Sequence, residues 1–108
     1  MSVYVSSLKD DLDRVRRNME AYQRRILEYP QGSLMVRTIK GRNYIYLKYR
    51  KNGKVVQEYV SPFDQEKYNQ LNAQIYQRKH LQAELKDLAE EEKEMKKALR
   101  ALGVKDVK

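Results

Sequence analysis

The stretch SLMVRTIKGRNYIYLKYRKNGKVVQEYV, Ser33 to Val60, decides the fold of this chain. It alternates apolar with polar residues, is rich in Tyr, Val and Ile, and is broken by two short turn signals, the marks of consecutive strands. Asn52-Gly53 is the dipeptide favoured in a two-residue type I′ hairpin. With those two residues as the loop, Arg50 faces Val55, Lys48 faces Gln57 and Tyr46 faces Tyr59. Gly41-Arg42 supplies a second loop of type II′, with glycine at the position that needs positive φ. That loop sets Arg37 opposite Tyr46 and Val36 opposite Leu47; a four-residue loop also fits here. The expectation is a three-stranded antiparallel meander over about 33–60.

Alternation divides the meander into two faces. One carries Leu34, Val36, Thr38, Ile45, Leu47, Tyr49, Val56, Glu58 and Val60. It is apolar apart from Glu58 and is expected to pack on helices. The other carries Met35, Arg37, Ile39, Tyr44, Tyr46, Lys48, Arg50, Val55, Gln57 and Tyr59. Three tyrosines interleaved with three basic residues suit nucleic acid, because the rings stack on bases while Arg and Lys take phosphates. The same composition suits a protein interface, or follows from the high β-propensity of tyrosine alone.

Working outward, the segment before the meander keeps a 4–3 spacing of Leu8, Leu12, Val15, Met19, Tyr22, Ile26 and Tyr29, which is a helical seam. Ser7 is the expected N-cap, with acids Asp10, Asp11 and Asp13 in and just after the first turn. Pro30 stops the helix at the residue before it. Helix 7–29 is therefore a rod of roughly 33 Å. Its other side carries Arg14, Arg16, Arg17, Arg24 and Arg25, expected to be a solvated face.

After the meander, Ser61-Pro62-Phe63-Asp64 reads as a helix start with Ser61 as N-cap, and neither Gly nor Pro recurs before Gly103. Leu81, Leu85, Leu88, Met95, Leu99 and Leu102 keep the 4–3 spacing, interrupted by Glu92. Gln74 and Arg78 occupy seam positions further back. Tyr68, Leu71 and Ile75 are expected on the sheet and the later leucines on the first helix. Helix 62–102 is roughly 60 Å long, so part of its seam is expected to lack a partner within the chain. Such a surplus implies a homodimer through the C-terminal helix, a helix-docking partner, or a frayed tail after about Leu88.

The fold class expected is α+β in one domain spanning 1–108: a long N-terminal helix, a three-stranded antiparallel meander and a long C-terminal helix. The two helices pack as an antiparallel coiled-coil-like pair.

Charge is concentrated on the meander. Of a formal net charge of +8, Gln31–Val60 holds +6, from seven basic residues and Glu58. These are Arg37, Lys40, Arg42, Lys48, Arg50, Lys51 and Lys54. Such a cluster attracts polyanions, or serves as a solubilising surface. The site expected is therefore Arg37, Lys40, Arg42, Tyr44, Tyr46, Lys48, Arg50, Lys51, Lys54 and Tyr59.

Little chemistry is available elsewhere. The chain has no cysteine, so thiol catalysis, disulfides and zinc–thiolate sites are excluded. His80 is the only histidine and sits in a polar helical stretch. No nucleophile elbow or phosphate-cradling glycine loop is present. Neither an enzyme nor a cofactor, metal or small-molecule substrate is expected. The opening MSVYVSSLKDDLDR lacks a basic region followed by an apolar run, and no apolar run approaches the roughly 20 residues needed to span a bilayer. A soluble, cytoplasmic chain without membrane partners is the expectation.

Gly32-Ser33-Leu34, Lys40-Gly41 with Tyr44, the strand Tyr44 to Leu47, Gly53-Lys54 and the helix from Ser61 resemble the core of a family of small uncharacterised prokaryotic proteins, some carried by mobile elements. The resemblance covers Gln31 to about Leu85. The three strands and following helix are also similar to the arm-type DNA-binding domain of phage integrases, which implies a sheet inserted into the major groove; the long helix in front departs from that domain. DNA or RNA is the partner expected. A phage or mobile-element setting also implies an alternative, a protein or ribonucleoprotein nuclease inhibited in the manner of anti-CRISPR proteins.

Overall fold

A computed structural model of the chain describes residues 3–108. The element order is α1 (Val3–Ile26), β1 (Ser33–Ile39), β2 (Arg42–Lys51), β3 (Lys54–Pro62) and α2 (Gln65–Ala101). The three strands form one antiparallel sheet with β2 in the middle. The fold is α+β, as the patterning implies. The chain forms two compact units, one from residues up to Ile26 together with Leu81–Lys108, the other from Leu27–His80.

In the helical unit, α1 packs antiparallel on the later half of α2. Val5, Leu12 and Leu99 form a buried cluster, with Leu8, Met95, Val104 and Val107 against it. Further along, the Arg16 Nε donates to Glu92 Oε2 at 3.0 Å. Helix α1 starts earlier than the expected cap at Ser7. Val5 extends the seam by one step, three residues before Leu8, and its burial (8% exposed) holds that extra turn in place. Tyr29 falls outside the helix, whose last turn ends at Ile26.

The end of α2 is closed by its backbone. The Val104 N–H reaches the Leu99 carbonyl at 3.1 Å and the Gly103 N–H the Arg100 carbonyl at 3.0 Å. With Gly103 at φ 90°, this is a Schellman motif, and Val104 packing beside Leu99 supplies its hydrophobic contact. Leu99 is 1% exposed, so no frayed tail begins at Leu88.

The surplus seam expected of the longer helix is also accounted for. Residues 81–101 make about 32 Å of helix against about 36 Å for α1, a near match. The first half of α2 belongs instead to the sheet unit, where Leu71 and Ile75 are buried with Ile45. The seam-length argument for a dimer therefore has no basis among the described residues.

In the sheet unit, the second hairpin has the expected register, Tyr46 opposite Tyr59, Lys48 opposite Gln57 and Arg50 opposite Val55. The first does not. Arg37 pairs with Tyr44 and Val36 with Ile45, a slip of two from the expected register. The loop is Lys40-Gly41, with φ 52° and 78°, close to the 53° and 78° of Asn52-Gly53. Both turns are thus type I′, whose twist matches that of the strands, and Lys40 accepts positive φ to allow it. A slip of two leaves every side chain on its expected face.

Strand β3 also runs further than expected. A bulge between Ile45 and Tyr46 on β2 skips one residue of β3, so Ile45 pairs with Ser61 and Tyr44 with Pro62. The Phe63 N–H then bonds the Asn43 carbonyl at 3.0 Å. Ser61 is strand, not cap. Asp64 takes the cap, accepting from the Glu66 N–H at 3.0 Å, and α2 begins at Gln65.

The apolar face is covered only in part. Ile45 is fully buried, while Val36 is 43% exposed. Polar cross-strand pairs finish both ends of this face: the Thr38 hydroxyl donates to Asn43 Oδ1 at 2.6 Å and the Tyr49 hydroxyl to Glu58 Oε2 at 3.1 Å. Strand β1 reaches only as far as Lys48 along β2, so the β2–β3 hairpin continues alone to its basic tip.

Candidate nucleic-acid interface

The open face of the sheet is built around three tyrosine rings. Tyr46 and Tyr59 are directly opposed, with ring centroids 5.7 Å apart at 72°. Tyr44, two residues along β2, is 6.2 Å from Tyr59 at 56°. The bulge explains this shared contact. By giving β3 an extra residue beside Ile45–Tyr46, it bends the strand and leaves Tyr59 adjacent to both rings. Tilted and edge-on geometries of this kind are favoured by the ring quadrupoles.

Arg37 joins the cluster from β1. Its guanidinium carbon lies 5.1 Å from the Tyr46 centroid, a cation–π contact, and its Nη1 donates to Gln57 Oε1 at 3.2 Å. Gln57 thereby steadies the arginine from β3, a role the sequence pattern shows only as a face assignment. Tyr44 and Tyr46 are half-buried and Tyr59 is 52% exposed.

Alternation puts Arg42, Tyr44, Tyr46, Lys48 and Arg50 on this face of β2, with Arg37 and Tyr59 beside them. Lys40 lies in the turn at the Arg42 end. Lys51 and Lys54 oppose each other next to the other turn, and by the same alternation belong to the Tyr49 side. Seven of the ten expected residues thus share one face, and Lys40, Lys51 and Lys54 flank its two ends. All the strand cations are exposed. The ion pairs Arg14–Asp11, Arg16–Glu92 and Arg24–Glu20 lie in the helical unit.

On the other face, Pro30, Gly32, Leu47, Tyr49 and Glu58 line a shallow groove. Gly32 has φ +89°, and a Cβ there would meet the Lys48 carbonyl oxygen and come within 2.8 Å of the Tyr49 Cβ, so only glycine fits. The Glu58 carboxylate, accepting from the Tyr49 hydroxyl, raises that phenol above its ordinary value of 10.0. Glu84 does the same to Tyr22 in the helical unit.

One residue that spacing marks only as a seam interruption holds the sheet unit together. Arg78 is 6% exposed. Its Nη1 donates to the Pro30 carbonyl and its Nη2 to the Gly32 carbonyl at 3.1 Å. A planar fork reaches two neighbouring carbonyls where an apolar side chain would leave them unsatisfied. A basic residue in an otherwise apolar stripe was the available signal.

Among the described residues no group of His, Asp and Glu is placed to hold a metal, and no helix is long and apolar enough to cross a membrane.

Helix, three-stranded meander and long helix define a small α+β protein with an open basic sheet. A family model described as a domain of unknown function (DUF6788) matches residues 8–70, more than half of the chain. The chain belongs to that family. No curated protein and no solved structure matches.

Proposed function

We propose that this chain is a non-catalytic nucleic-acid-binding protein that uses the open sheet face. One observation carries the proposal: exposed cations with no carboxylate partner among the described residues share a face with a cluster of three tyrosine rings. A merely solubilising surface needs charge but gains nothing from half-exposed aromatic rings, whereas polyanion binding uses both, charge for phosphates and rings for bases. Cations at both ends of β2, Arg42 at one and Lys48 and Arg50 toward the other, give a phosphate backbone contacts along about 27 Å of strand.

The test is oligonucleotide binding by the chain with Arg37, Lys48 and Arg50 changed to Ala. These side chains are exposed, so the fold is expected to persist, as circular dichroism would show, while binding is lost. Full binding by this triple variant contradicts the assignment. Absence of binding by the parent turns the face over to a protein partner.

A further inference from the structure

Resting on that nucleic-acid reading, we infer that the ligand of this face is a single strand, held by base stacking on Tyr44, Tyr46 and Tyr59, and not a duplex. Three features of the face argue for it.

The rings occupy the centre of the sheet. Tyr44 and Tyr46 lie on the middle strand, and Tyr59 lies against both. A duplex presents only base edges in its grooves, and these are read by donors and acceptors such as Arg, Lys, Asn and Gln. Its base planes are already stacked on one another, so a central aromatic cluster would find no ring to stack on. In a single strand the base planes are available, and aromatic side chains are the usual platform for them.

The spacing matches an unstacked strand. Arg42, Tyr44, Tyr46, Lys48 and Arg50 follow one another every second residue on one face of β2, about 6.7 Å apart. That is about twice the 3.4 Å rise per nucleotide within a stacked duplex strand. Consecutive side chains of this row therefore meet consecutive nucleotides only when the strand is extended and its bases are splayed.

The cations also sit where an extended backbone needs them. The Arg37 guanidinium carbon lies 5.1 Å from the Tyr46 centroid, which sets a positive charge beside the rings for a phosphate of the stacked strand. Lys48 and Arg50 continue the row beyond the rings, and Arg42 precedes them.

The experiment is fluorescence anisotropy with the full chain and one labelled mixed-sequence DNA strand, alone and annealed to its complement, at the same ionic strength. The expected result is at least about tenfold tighter binding of the single strand, with Tyr59→Leu losing on the order of ten- to a hundredfold of that affinity and Tyr59→Phe keeping most of it. Equal or tighter binding of the duplex by the parent overturns the inference and leaves the nucleic-acid reading standing. Binding of neither form overturns both. A single-strand preference that survives Tyr59→Leu in a folded variant overturns the stacking role. The parent comparison decides strand preference whether or not a variant folds.

Discussion

The helical unit and the sheet unit handle charge in opposite ways. The helical unit holds thirteen basic and eleven acidic residues, a net of +2, and contains the ion pairs Arg14–Asp11, Arg16–Glu92 and Arg24–Glu20. The sheet unit holds ten basic and four acidic residues, a net of +6. Its buried cation, Arg78, reaches two backbone carbonyls through Nη1 and Nη2, with its buried Nε left unpaired, and its strand cations are exposed. The lesson is that number of charges says little about role. Arginines that face acids on the same or a neighbouring helix are part of a scaffold, while exposed cations gathered beside aromatic rings are the ones we propose to serve a polyanion.

The largest expected effect tests the one cation of the sheet unit that is structural. Arg78→Ala removes two charge-assisted donors and leaves the Pro30 and Gly32 carbonyls unsatisfied, a loss of about 3 kcal/mol in urea unfolding. A loss under about 1 kcal/mol would mean that this buried cation is no more structural than those on the strands. Next comes Glu92→Ala, which strips the half-buried Arg16 of its carboxylate and is expected to cost about 0.5–1 kcal/mol. The contrast lies in Lys48→Gln combined with Arg50→Gln, which removes two unanswered charges and is expected to change stability by less than about 0.5 kcal/mol. If the strand pair costs as much as Glu92, the two units do not differ as described.

The smallest effect concerns the two tyrosine–carboxylate bonds, one in each unit. Glu84 and Glu58 raise the phenols of Tyr22 and Tyr49 above 10.0. A raised folded-state value means that the native chain keeps those protons longer than the unfolded one. Both bonds therefore contribute in full below pH 10 and are lost as pH rises above it. Stability followed by thermal unfolding is expected to hold level from pH 8 to about 9.5 and then to fall. A rise in stability above pH 10 would contradict the sign.

Much of this was legible in the sequence, because periodicity reports faces directly. The 4–3 seam of α1, the alternation of the strands and the Asn52-Gly53 turn follow from local chemistry, and so does the tyrosine face. What escaped depended on contacts distant in sequence, apart from the first hairpin, where two local turns competed. The first register shifted because Lys40 tolerates positive φ and Gly41 then completes a type I′ turn, a choice between two loops that both contain the same glycine. Ser61 lost the cap of α2 to Asp64 because the bulge and the Phe63–Asn43 bond prolong β3. Val5 lengthened α1 because its partners lie near Leu99, far along the chain. Arg78 looked like a defect in a stripe, since the carbonyls it satisfies lie more than forty residues earlier. The slip of two in the first hairpin cost nothing in site assignment, since it preserves side-chain parity.

The central claim is that the strand cations meet phosphates, and salt dependence measures that most directly. The logarithm of the oligonucleotide binding constant, plotted against the logarithm of salt concentration, is expected to fall with a slope of about −3 for four neutralised phosphates on a single strand. Arg50→Ala alone, which keeps the other contacts, is expected to flatten that slope by about 0.7. A slope near zero for the parent, or one unchanged in the variant, would contradict the account.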